Sequence, residues 1–169
     1  MFESSGIKER TLERILISSF SVRRTEVSKM KAIAVIALLV LVSCAQARIY
    51  SRCEMARILY HDYGVTNMIT LANWICLIQH ESSFNDQAVG AINYNGTQDF
   101  GLFQINNQWW CQGNVSSYNS CGIACTALLG NLSASWKCAQ LVYQQQGFKA
   151  WYGWLNYCNG TAPSVADCI

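Results

Sequence analysis

Apolar residues along this chain follow three different patterns. From Lys31 to Ala47 they run together, and "MKAIAVIALLVLVSCAQA" has no polar side chain between Ala32 and Val42. Further on the spacing becomes helical. "TNMITLANWICLIQHE" puts Leu71, Trp74, Ile75 and Ile78 on one face, as a period of 3.6 requires. "SRCEMARILY" predicts a shorter helix that opens on the capping box Ser51-x-x-Glu54 and ends by Gly64. The period then changes. In "AINYNGTQDFGLFQIN", Asn95-Gly96 is a hairpin-turn signal between strand-like residues, and "FGLFQIN" alternates like a strand. "CGIACTALLG" and "LSASWKCAQLVYQQQG" return to helix, the second stopped by Gly147, and "FKAWYGWLNYC" is aromatic and compact. Helices therefore flank one small antiparallel sheet. The expected fold is α+β: a mostly helical lobe and a small β lobe, with a ligand cleft between them.

The first apolar run is too short to span a membrane, which takes about 20 residues. With Lys31 before it and Ala45-Gln46-Ala47 after it, it reads as a secretory signal peptide cleaved after Ala47. Residues 1–47 are then an N-terminal extension and signal, with the signal proper at about 30–47, and residues 48–169 are the working domain. The piece before Met30 is charged and mixed in sign. Two readings stay open for it: translation starting at Met30, or a long n-region acting as a signal anchor. Processing changes the charge. The whole chain carries +2, but residues 48–169 hold five basic and six acidic side chains, a balance of −1. That excludes a basic surface that would grip nucleic acid or an anionic membrane by counterion release. A secreted, extracellular monomer that holds no membrane after processing is expected.

Cysteine usage agrees with secretion. Cys44 falls in the signal, and the remaining eight are Cys53, Cys76, Cys111, Cys121, Cys125, Cys138, Cys158 and Cys168. An even number in a secreted chain implies a disulfide framework, with about 105 possible pairings. Zinc at Cys121-x3-Cys125 is the rival reading, but no histidine stands near that pair. No metal and no cofactor are expected.

Two carboxylates carry the candidate chemistry. Glu81 comes at the end of the apolar helix, where aromatic neighbours would favour its neutral form and raise its pKa. Asp99 stands among Asn93, Asn95, Thr97, Gln98, Gln104 and Asn106, whose amides and hydroxyl can hold it ionised. Opposed environments across a cleft suit glycoside hydrolysis, with one acid protonating the leaving oxygen and the other facing the oxocarbenium-like carbon. Spacing alone leaves two surface carboxylates as the alternative.

"HESSFN", "DFGLFQINNQWWC" and "AWYGWLNYC", with the order of the eight cysteines, resemble the c-type lysozymes, those of insects in particular. The resemblance spans Arg48 to Ile169. It implies a general acid at Glu81 and a nucleophile or electrostatic stabiliser at Asp99, a pair that is itself a standard worked case of divergent carboxylate environments. It implies the pairs Cys53–Cys168, Cys76–Cys158, Cys111–Cys125 and Cys121–Cys138. It places Trp109 and Trp110 as tryptophans that stack on sugar rings, Trp151 against the catalytic glutamate, and Asn93, Gln104 and Asn106 about the catalytic aspartate. His80 and His61 are read as bystanders, and Trp154 as core.

The implied activity is a secreted, retaining muramidase. It cuts the β-1,4 bond between N-acetylmuramic acid and N-acetylglucosamine in bacterial peptidoglycan, with chitin oligomers as a weaker substrate. The alternative is a catalytically silent sugar-binding relative of the α-lactalbumin kind, and such relatives typically lose one or both carboxylates. The balance of −1 favours digestion over defence at neutral pH. Calcium-binding members carry aspartates in the segment that is Cys121–Cys138 here, and this chain has no Asp or Glu there. The loop after Cys111, "QGNVSSYNS", is short and uncharged, and the resemblance sets it beside the cleft. Asn95, Asn114, Asn131 and Asn159 each open an N-glycosylation sequon, and a glycan on Asn95 would stand beside Asp99.

Overall fold

The computed structural model describes residues 47–169, so the extension and signal segment expected at residues 1–46 lie outside the described residues. Helix α1, Arg52–Arg57, opens on the expected box: Ser51 Oγ accepts from Glu54 N–H at 3.2 Å, and the Glu54 carboxylate accepts from Ser51 N–H. A π-helical turn, Ile58–Asp62, continues it. Helix α2, Met68–Ser82, is capped by Asn67, whose Oδ1 accepts from Ile69 and Thr70 N–H. Helix α3, Leu132–Gln146, is capped by Asn131 and stops at Gly147, which takes φ 65°. A 3-10 turn, Gly147–Ala150, leads into helix α4, Tyr152–Tyr157.

The centre of the core is Trp74 on α2. Its ring meets Phe103, Trp136, Tyr143, Phe148 and Trp151 at centroid distances of 4.9–5.8 Å, edge-on or tilted throughout. Such contacts add about 0.5–1.5 kcal/mol each beyond burial. Leu71, Ile75 and Ile78 of the same face are fully buried, as the spacing requires. The exit from α2 is unusual: Ser83 and Phe84 follow it at φ 51° and 64°. Left-handed backbone is unfavourable for both. Burial of Phe84 and the bond from Tyr50 N–H to Phe84 O at 3.1 Å offset that strain.

The sheet differs in detail from expectation. Strands β1, Asp99–Phe100, and β2, Ile105–Asn106, pair antiparallel with Asp99 opposite Asn106. The turn between them is 101–104, not Asn95-Gly96, and Gly101 and Gln104 take the positive φ values it needs, 73° and 47°. Asn95-Gly96 does turn the chain, with Gly96 N–H bonded to Asn93 O and Asn93 N–H to Thr97 O, both at 2.8 Å. No strands flank it, because the side chains of Asn93, Asn95 and Thr97 bond one another and Asp99 instead of leaving two backbones free to pair. "FGLFQIN" is likewise no continuous strand: Leu102 and Phe103 both enter the core. "CGIACTALLG" forms only a 3-10 turn, Cys125–Leu128, between Gly122 and Gly130, both at positive φ. The disulfides are Cys53–Cys168, Cys76–Cys158, Cys111–Cys125 and Cys121–Cys138, the same pairs that the resemblance implies.

Candidate active site

A cleft of about 500 Å³ opens between β1–β2 and the α3–α4 region. Asn93, Asp99, Gln104, Asn106, Trp109, Trp110 and Trp151 all line it. Seven sequence-selected side chains thus meet in one place. Glu81 does not line this volume itself and lies half-buried in the last turn of α2.

Asp99 is held by two amides. Asn106 Nδ2 donates to Oδ1 at 2.8 Å, and Asn93 Nδ2 donates to Oδ2 at 3.1 Å. Both amides also donate to the hydroxyl of Thr97, at 3.2 Å and 3.0 Å. That hydroxyl in turn donates to Asn95 Oδ1 at 2.8 Å, and Thr97 is buried. Each carboxylate oxygen therefore has its own donor, and Thr97 fixes both donors. The sequence puts Thr97 near Asp99 but does not reveal it as the shared anchor, since the three bonds depend on how the 93–97 turn closes.

Glu81 sits in the opposite kind of surrounding. Gly153 N–H donates to Oε1 at 2.8 Å, the only hydrogen bond its carboxyl makes among the described residues. Among the described residues no buried side-chain oxygen lacks a partner, so Oε2, which has none, reaches solvent. Burial is the main cause that pushes the Glu81 pKa up; the Gly153 bond opposes it, and the charge of Asp99 adds to it. Gly153 is a residue that sequence reading missed. A Cβ there would lie 2.6 Å from Glu81 Oε1, so the carboxyl rests against bare backbone. The Gly that follows Trp151-Tyr152 in "AWYGW" is the only sequence signal for it.

The remaining candidates divide by role. Trp151 is buried, and its indole N–H donates to Phe103 O at 2.8 Å, which ties α4 to the turn between the strands. Gln104 spends its amide on backbone, donating to Gly101 O at 2.8 Å and Ala88 O at 3.3 Å. It shapes the cleft wall and braces the turn. Trp110 is buried, whereas Trp109 is exposed and stacked on Tyr118. His80 stacks on Tyr157 with ring centroids 4.4 Å apart and makes no hydrogen bond to either carboxylate. Its neighbours Cys76 and Cys158 are joined to each other, which leaves no thiolate for a metal.

The C-type lysozyme/alpha-lactalbumin family matches residues 48–168. Lysozyme P of Drosophila melanogaster is 46% identical over 83% of this chain and all of its own length. Lysozyme 2 of Lucilia sericata is 44% identical over 81% of this chain and 96% of its own. Among solved structures, the lysozyme of Equus asinus superposes with a TM-score of 0.66 at 37% identity, over 72% of this chain and 99% of that one. A calcium-binding lysozyme from equine milk superposes with a TM-score of 0.61 at 39% identity, over 66% of this chain and 90% of that one. With a matching fold, matching relatives and both carboxylates in place, this chain belongs to the C-type lysozyme/alpha-lactalbumin family.

Proposed function

We propose that Glu81 and Asp99 carry out the reaction of a lysozyme, hydrolysis of the β-1,4 bond between N-acetylmuramic acid and N-acetylglucosamine in bacterial peptidoglycan. One observation carries the assignment of roles. Glu81 is half-buried with its pKa raised, while Asp99 has an amide donor on each oxygen. Glu81 keeps its proton, and Oε2, free of protein partners, delivers it to the glycosidic oxygen as the bond breaks. Asp99, with one amide donor on each oxygen, faces the positive charge that develops on the sugar carbon, as stabiliser or as nucleophile. The glycosyl unit is then transferred to water, with Glu81, now deprotonated, accepting the water's proton. Two displacements on one carbon would retain the anomeric configuration.

Asn93 and Asn106 hold Asp99 through this cycle, Trp109 and Trp110 stack on the saccharide, and Gln104 and Trp151 set the wall against which it lies. A catalytically silent relative would lack one of the carboxylates, and both are present. Short chitin oligomers, which share the N-acetylglucosamine unit, fit as weaker substrates. The signal-like segment that ends at Ala47 and the eight cysteines that follow it support a secreted protein, which we propose works as a monomer. No helix of the described residues is long and apolar enough to cross a membrane. The segment Cys121–Cys138 has no carboxylate to offer a hard cation, so no step passes through calcium.

Glu81→Gln keeps the shape and the Gly153 bond but has no proton to give. Lysis of bacterial walls, followed as turbidity, should fall by about 10²–10⁴-fold, while binding of a chito-oligosaccharide is kept. Lysis at the wild-type rate would overturn the assignment.

A further inference from the structure

Trp109 and Tyr118 lie face to face, with ring centroids 5.1 Å apart and planes 3° from parallel. Both are exposed, at 49% and 74%, so the pair is no part of the core. Trp109 lines the cleft and Tyr118 does not. An indole on a cleft rim has two faces, and a stacked sugar takes one. A rim indole free to rotate would lose that freedom on binding, and the loss weakens affinity.

The loop that carries Tyr118 is built to keep it in place. Cys111–Cys125 and Cys121–Cys138 close its two ends. Tyr118 N–H donates to Gln108 O at 2.9 Å, Ser120 N–H to Trp109 O at 3.1 Å, and Cys121 N–H to Trp110 O at 2.8 Å. The loop backbone thus runs bonded along the Trp109-Trp110 segment itself. Ser117 Oγ donates to Cys111 O at 2.9 Å and accepts from Asn119 N–H at 3.0 Å, which bends the loop so that residue 118 returns over residue 109. No charged side chain lies between Cys111 and Cys121. What this loop gives the cleft is shape.

We propose that Tyr118 is a positioning residue for saccharide binding: it covers one face of Trp109 and holds the indole with its other face presented to a pyranose ring in the cleft. This rests on the reading of Trp109 as a sugar-stacking residue. The role needs the Tyr118 ring and not its hydroxyl, which makes no hydrogen bond to a side chain or backbone group of the described residues.

The test measures KM and kcat on soluble peptidoglycan fragments, together with the melting temperature, for Tyr118→Ala, Tyr118→Phe, Trp109→Ala and the double variant Trp109→Ala/Tyr118→Ala. Tyr118→Ala should raise KM about 2- to 10-fold, the range expected for one side chain that must be immobilised on binding, and leave kcat near wild type. Tyr118→Phe should restore KM. In the Trp109→Ala background the Tyr118→Ala effect should vanish, because there is no indole left to hold. A wild-type KM for Trp109→Ala would overturn the stacking role of Trp109, and this proposal with it. A raised KM for Trp109→Ala with no change for Tyr118→Ala, or fully additive effects in the double variant, would overturn the positioning role alone. A lowered melting temperature with kcat falling in Tyr118→Ala and Tyr118→Phe alike would show a fold defect and also overturn it.

Discussion

At the scale of single residues, the site separates two carboxyl groups by what each can bond. Asp99 receives one amide on each oxygen. Glu81 receives one backbone N–H and otherwise faces burial and the Asp99 charge. The raised pKa of Glu81 has a definite sign in pH. Activity requires its protonated form, so activity is lost as pH rises through that pKa, and the upper limb of the profile belongs to Glu81. Stability has the same direction: a carboxyl whose folded pKa is raised contributes fully below its unfolded pKa and loses that contribution as pH rises through the folded one. Asp99→Asn removes the lesser of the two raising causes and leaves burial, the greater. An NMR titration of the Glu81 carboxyl in Asp99→Asn should therefore give a pKa below wild type and still above that of an ordinary glutamate. Lysis should fall severely in the same variant. An unchanged Glu81 titration would mean that the two groups do not sense each other, and the proposed pairing would lose its electrostatic basis.

At the scale of elements, legibility followed the source of each element's order. Helix α2 could be read from Leu71, Trp74, Ile75 and Ile78 because one buried stripe fixes a helix locally. Helix α3 could also be read, with Gly147 marking its end, while its cap, Asn131, entered the sequence reading only as a sequon. The strands could not be placed, since Asn95-Gly96 signals a turn equally well whether the flanks pair through backbone or tie up in side-chain bonds. Asp99 and Glu81 were visible as unlike carboxylates, and the family motifs gave their roles. Gly153 was not visible, because it acts through a backbone N–H across 72 positions, and Thr97 was visible only as a neighbour of Asp99, because its anchoring role depends on a closed turn. The segment from Cys121 to α3 shows the same split. It is ordered by the Cys111–Cys125 and Cys121–Cys138 bridges and by the bond from Ser135 Oγ to Leu128 O at 2.8 Å, none of which needs an ion. Millimolar calcium or a chelator should leave the melting temperature unchanged, unlike the behaviour expected of a site built from several carboxylates. A rise with calcium would show that carbonyl oxygens in this segment suffice to bind it.

At the scale of the whole molecule, the two ends of the folded domain are tied to the body that holds the site. Cys53–Cys168 closes a separation of 115 residues, and Arg52 pairs with Asp167 beside it. The first residues after the expected cleavage point are bonded to the segment that leaves the Glu81 helix: Asp86 N–H donates to Arg48 O at 3.1 Å, and Tyr50 N–H to Phe84 O. Arg48 N donates to Asp86 Oδ1 at 2.9 Å, and Asp86 is only 4% exposed. If the chain is cleaved after Ala47, that nitrogen is no longer an amide but the α-ammonium of the mature protein, protonated at neutral pH and below. A buried carboxylate is then met by a full positive charge, and a charge-assisted bond is about twice as strong as a neutral one. A protein made with one extra residue before Arg48 would keep the fold and the bond but lose the charge. Its stability should be lower by about 1–2 kcal/mol, the gap between charged and neutral hydrogen bonds, and this should appear as a lower melting temperature. Asp86→Asn should lower stability in the form that begins at Arg48 and abolish the difference between the two N-termini, because no carboxylate is left to distinguish an ammonium from an amide. Equal melting of the two forms with Asp86 intact would show that the ammonium does not pair with it. A difference that Asp86 controls would mean that removing the leader completes the folded domain at the segment immediately following its catalytic acid.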